Sequence, residues 1–133
     1  MGLKTVSGRF RVTMTPAECH AQGQESNNIG LMALDKTFEG PLSGASRGDM
    51  ISAMTPTKGS AGYVAIEQFS GSLEGREGGF IMQHFGMMDG GKDSLRIDIV
   101  PDSGTGALQG IRGSCGIRIE GNVHYYDLHY ELN

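Results

Sequence analysis

Tryptophan is absent from this chain, cysteine occurs only twice and proline only four times. Two thiols, Cys19 and Cys115, allow at most one bridge, far short of the disulfide framework of a small secreted domain. No run of about 18 apolar residues is present, which excludes a transmembrane helix. The N-terminus, MGLKTVSGRF, has no apolar segment of the signal-peptide kind, and Val6 stands where a myristoylation site needs Ser or Thr. These absences lead us to expect a cytoplasmic protein with free cysteines and no membrane partner. An excess of positive charge is missing as well: 11 Lys and Arg face 15 Asp and Glu, for a net charge of −4. Without a basic stripe to neutralise phosphates, a nucleic-acid partner is not expected.

Glycine is what the chain has in excess, at 22 of 133 residues. It follows no collagen period, and the Val, Ile, Phe and Tyr between the glycines argue against disorder. Glycines inside alternating strands mark bends, bulges and close backbone approach in a curved sheet. The alternation is plain in Val6–Met14, in Met32–Glu39 and, broken by glycine, in Leu42–Met54. Thr15 to about Asn28 reads as a polar loop, with breaks at Gly40-Pro41, Thr55–Gly59, Asp89–Asp93 and Pro101–Gly106.

Two hairpins can be registered from their turns. A glycine-first loop at Gly75-Arg76 places Tyr63 opposite Met88, Ala65 opposite Gly86, Glu67 opposite His84, Phe69 opposite Met82 and Gly71 opposite Phe80. A second loop, Gly121-Asn122, places Ile119 opposite His124, Ile117 opposite Tyr126, Cys115 opposite Leu128, Gly113 opposite Tyr130 and Ile111 opposite Leu132. Each hairpin then has one coherent apolar face and sets an aromatic across from a glycine. With Leu95, Ile97 and Ile99 in a further strand, the count reaches eight strands and no helical window. We therefore expect residues 1–133 to form a single all-β domain, a closed eight-stranded antiparallel up-and-down meander barrel.

The blocks TPTKGSAGYVAIEQFSGSLEGREGGFIMQH, VPDSGTGALQGIRG and HYYDLHYEL resemble a small bacterial family of unknown function. The resemblance runs from about Gly8 to Leu132 and implies an allene-oxide-cyclase-like closed barrel. It implies no activity, and no catalytic motif of that enzyme maps onto this chain. Ring closure on a flexible substrate is therefore an analogy of architecture.

The polar groups on the expected inner face are Lys36, Tyr63, Glu67, His84, His124, Tyr126 and Tyr130. Glu67 and His84 read in one of two ways. They are a buried pair that fixes register, or acid/base and ligand-orienting groups on the chamber floor; a register error would move one of them outside. Lys36 is expected to reach the barrel mouth and keep its ammonium in water. Tyr63 and Tyr126 need partners for their hydroxyls, and a ligand is one source. His124, beside a turn, is expected at the rim, with His20 and His129 on the surface. No HxH, HxxxH or CxxC spacing supports a metal site, and no cofactor is expected. Asp102–Gly106 lacks the lysine and helix of a phosphate loop and reads as a hairpin turn. Cys115 reads as a small hydrophobe, and Cys19-His20 as loop neighbours.

Three functions follow from this pattern. The first is a barrel that holds a small, mostly apolar molecule, oriented by Lys36, Tyr63, Glu67, His84, His124 and Tyr126. It rests on an inner face rich in Met14, Met32, Met82, Met88, Phe10, Phe38, Phe69 and Phe80. The second is an isomerase or cyclase with Glu67 and His84 as acid and base. The third is a filled structural barrel that assembles into a homo-oligomer through the outer face of the central hairpin, where Val64, Ile66, Ile81, Phe85 and Met87 fall.

Overall fold

Side-chain alternation builds strands wherever the sequence sets that period, and the computed structural model, which describes residues 2–132, has no helix among them. The strands are β1 (Lys4–Ala17), β2 (Asn28–Glu39), β3 (Leu42–Met54), β4 (Ala61–Leu73), β5 (Arg76–Asp89), β6 (Lys92–Ile99), the two-residue β7 (Thr105–Gly106), β8 (Arg112–Glu120) and β9 (Val123–Glu131). The eight long strands pair antiparallel in chain order, and β9 returns to β1. The sheet is thus the expected closed meander, which leaves no free edge around the ring. β1 continues to Ala17, past the expected start of the polar loop. The loop read at Pro101–Gly106 contains β7, which pairs with Gly78 and Gly79 of β5. It is a long crossing between β6 and β8, not a tight hairpin turn.

The β8–β9 hairpin keeps the expected register, with Cys115 opposite Leu128 and Ile117 opposite Tyr126. The β4–β5 hairpin does not. Its turn is Glu74-Gly75, one residue earlier than expected, and both residues take positive φ (48° and 82°). That is the primed turn whose twist matches the flanking strands, and here glycine takes its second position. Glu67 therefore faces Met82, His84 faces Ala65, Phe69 faces Phe80, Gly71 faces Gly78 and Tyr63 faces Gly86. Moving a two-residue loop by one residue shifts the partner by two, so every side chain keeps its face. The inward set survives; the opposed pairs do not.

The two ends of the barrel are built differently. At one end Leu42, Leu73, Phe80 and Tyr130 are buried in one cluster with Leu108 and Ile111 of the 100–111 crossing. At the other end Met54, Met88 and Leu95 stand 53%, 40% and 45% exposed on inward-facing positions. The wall is thinnest between β6 and β8, which share only two ladder pairs, Ile97–Cys115 and Asp98–Ser114.

Candidate functional site

Between the sealed and the open end lies a buried polar cluster. Inward alternation on β2, β3, β4 and β5 delivers Lys36, Ser46, Glu67 and His84 to one level of the lumen, all with 8% exposure or less. Glu67 is the hub. Lys36 Nζ donates to its Oε2 at 2.8 Å, Ser46 Oγ donates to its Oε1 at 2.6 Å, and His84 Nε2 lies 2.5 Å from Oε2. Glu67 and His84 sit diagonally across the β4–β5 ladder, a separation these side chains span. Burial by itself would raise the Glu67 pKa, but the hydrogen bonds from His84, Lys36 and Ser46 and the charge of Lys36 outweigh it and hold it at about 2. Glu67 is therefore a carboxylate and an acceptor only.

Lys36 does not reach the mouth. Its ammonium turns inward, bonded to Glu67 and 5.2 Å from the centre of the Phe10 ring. The sequence could not show this, because the competing partner comes from a strand 31 residues away. One ammonium and one carboxylate balance the enclosed charge. Facing a carboxylate, His84 Nε2 carries a proton and donates to it. The other nitrogen, Nδ1, is 3.3 Å from the Tyr63 hydroxyl. Burial, and then the nearby Glu67 charge, raise the Tyr63 pKa, so the phenol stays protonated. The result is a hydrogen-bonded line from Lys36 and Ser46 through Glu67 and His84 to Tyr63.

Tyr63 is where this line meets open space. The deep lumen around Lys36, Glu67 and His84 keeps a void of only about 10 Å³, room for a single water at most. Above it, at the open end, is a cup of about 350 Å³. Met50, Met54, Met87 and Met88 line it together with Ser52, Tyr63, Asp93 and Leu95. Gly86 makes room for the Tyr63 ring: a Cβ there would stand 2.3 Å from a ring carbon. Neither Glu67 nor His84 lines the cup.

The remaining expected site residues fall elsewhere. Tyr126 is fully buried near the sealed end, where its hydroxyl accepts from Leu42 N at 2.9 Å and lies 3.1 Å from the Glu39 carbonyl oxygen. Its hydrogen-bonding capacity is taken up by the Gly40-Pro41 turn. His124 lies at the rim, tilted against Phe10 with ring centres 5.4 Å apart, and lines a separate surface groove with Arg9, Arg11 and Asn122. Burial pushes the Cys115 thiol up to about 12, which leaves it unreactive. Among the described residues, no group of three or more His, Cys, Asp or Glu is spaced to hold a metal, and no helix is long and apolar enough to cross a membrane. Sequence reasoning missed Ser46, Met50, Ser52 and Asp93. The first three share the inward parity of β3, which the glycines of that strand disguise, and Asp93 reads as a turn residue.

Fold and site together define a closed β-barrel with an enclosed acid–imidazole–lysine cluster beneath an apolar, open-ended cup. The chain belongs to the DUF3224 family, described as a protein of unknown function, whose model matches residues 6–130. It is similar to a protein of unknown function from that family in Shewanella oneidensis MR-1, known from its crystal structure. The two are 48% identical with a TM-score of 0.96, and the match covers 99% of this chain and 98% of the other. No curated protein matches the chain.

Proposed function

We propose that the barrel binds one small, mostly apolar molecule in the cup at its open end, with Tyr63 as the polar contact. The observation that carries this reading is the contrast in space: about 350 Å³ at the methionine-lined end against about 10 Å³ around the polar cluster. The cup lies at the small end of the range for ligand pockets, roughly 300–1,000 Å³. Thioether side chains adapt to ligands of irregular shape. Glu67 and His84 act beneath the ligand by fixing Tyr63, and an isomerase or cyclase would have to move its proton through Tyr63. The test uses the neutral fluorescent probe N-phenyl-1-naphthylamine with the intact protein and with Ser52→Trp, which fills the cup. Saturable fluorescence that Ser52→Trp abolishes is the expected result; no saturable binding, or binding indifferent to Ser52→Trp, refutes the reading.

A second reading concerns the outer wall. Ile51, Val64 and Phe85 are exposed and stand in cross-strand register, with Ile66 and Met87 flanking them. Exposed Asp35 and Arg47 lie on the β2–β3 side of this row and Arg96 on the β6 side. A two-fold copy of the chain would cover the apolar row and leave around it a charged rim whose Asp35–Arg47 and Arg96–Asp98 pairs form within one chain. We propose this face as the contact of a homo-oligomer, and Phe85→Lys is expected to convert a dimer to a monomer in light scattering. A wild-type protein that is monomeric at high concentration overturns it.

A further inference from the structure

We propose that the cup selects apolar molecules that carry a hydrogen-bond donor, a hydroxyl or an ammonium, and rejects carboxylates. This rests on the reading of the cup as a ligand site and names its ligand class. The cup's one charged lining side chain and its sulfurs lean one way. Among the described residues no lysine, arginine or histidine lines it, while Asp93 contributes a carboxylate and four methionines contribute weakly accepting sulfurs. The Ser52 and Ser94 hydroxyls, which also line it, are free to donate or accept as needed.

Tyr63 completes the pattern because of what lies behind it. A solvent-facing phenol donates and accepts equally well. In the proposal His84 takes the tautomer with its proton on Nε2, toward the Glu67 carboxylate 2.5 Å away, which leaves Nδ1 to accept the Tyr63 O–H at 3.3 Å. The hydroxyl oxygen is left with its lone pairs toward the cup. A ligand O–H or N–H then closes a run of hydrogen bonds that all point the same way, from ligand to Tyr63 to His84 to Glu67, and such runs strengthen one another. A ligand carboxylate would meet two acceptors, Tyr63 Oη and Asp93, and would have only the Ser52 and Ser94 hydroxyls to replace its hydration. An ammonium gains Asp93 in addition and can lie against the Tyr63 ring.

The test is a matched panel at pH 7 on the whole protein carrying ¹³C-methyl methionine: naphthalene, 2-naphthol, 2-naphthylmethylammonium and 2-naphthoate. The methyl shifts of Met50, Met54 and Met88 report occupancy, and Met82, buried in the core, reports an intact fold. We expect 2-naphthol to bind about tenfold tighter than naphthalene, which is the worth of one good hydrogen bond. The ammonium should bind at least as tightly as 2-naphthol, and 2-naphthoate at least tenfold more weakly. Tyr63→Phe should bring 2-naphthol down to the naphthalene level and leave naphthalene within about twofold. Asp93→Asn should weaken the ammonium alone. If 2-naphthoate binds as tightly as 2-naphthol, or Tyr63→Phe leaves the 2-naphthol to naphthalene ratio unchanged, donor selection is wrong and ligand binding in the cup stands. If none of the four moves the cup methyls, both fail together.

Discussion

The sealed and the open end of this barrel are made from the same strands, yet they obey different rules. At the sealed end, eight strands converge with a crossing segment, and Phe69, Phe80, Leu108 and Ile111 reach zero exposure. Ring contacts there are close, with Phe69 and Phe80 at 5.1 Å and Phe38 edge-on to Tyr126 at 5.7 Å. At the open end the inward positions include methionines, serine and a glycine, and Met54, Met88 and Leu95 there stay 40–53% exposed. The same alternation makes a core where a neighbour covers it and a cup where none does. The close-packed core is therefore concentrated at one end and the open cup at the other, with the Lys36–Glu67–His84 cluster as the boundary.

The sharpest way to break that division is to mutate across it. Phe80→Ala, at the sealed end, should cost about 3–5 kcal/mol in chemical denaturation, because it removes ring contacts and leaves a cavity. At the boundary, Glu67→Gln should cost a similar amount, about 3–5 kcal/mol, because it strands the Lys36 ammonium in the lumen. The double variant Lys36→Met/Glu67→Gln should recover much of that loss; if it is as unstable as Glu67→Gln alone, the ion pair is not the cause.

The pH dependence follows from the same carboxylate. Glu67 titrates at about 2 in the fold against an ordinary value of 4.5, so between those limits the unfolded chain binds the extra proton. The stabilisation, about 3 kcal/mol, is complete above pH 4.5 and drains away as pH falls toward 2. Unfolding free energies measured from pH 6 to pH 2 should show the decline, and Lys36→Met/Glu67→Gln should flatten it. A smaller effect is expected at Tyr63, where Phe should cost about 1 kcal/mol for the lost bond to His84. The smallest belongs to the open rim: Met88→Ala should cost less than about 1 kcal/mol, since a partly exposed side chain surrenders little burial. An equal loss for Met88→Ala and Phe80→Ala would erase the contrast between the ends.

Much of the fold was legible in the residues because a β-barrel is written in a short code. A period of two assigns each side chain to a face, and glycine-bearing turns mark where the chain reverses. The register of β4–β5 was misjudged because Gly75 serves either as the first residue of one primed turn or as the second of another. Twist selects between them, and Glu74 accepts a positive φ of 48° to satisfy it. Even so, the inward parity of Glu67 and His84 was right, since both readings preserve it.

The sequence by itself determined the closed meander, the inward set of residues and the presence of an acid and an imidazole among them. These depend on local alternation and on neighbours joined by short loops. Tertiary structure alone decided that Lys36 folds back to the carboxylate, that Ser46 is its third donor and that Tyr63 fronts the cluster. It also decided that a cup of about 350 Å³ opens at the methionine end while the lumen around the polar cluster is filled. Those outcomes arise from the closure of the ring and the crossing over residues 100–111, which bring together side chains far apart in the chain and decide which inward positions are covered. Burial and charge pairing depend on that enclosure, so no window of sequence carries them.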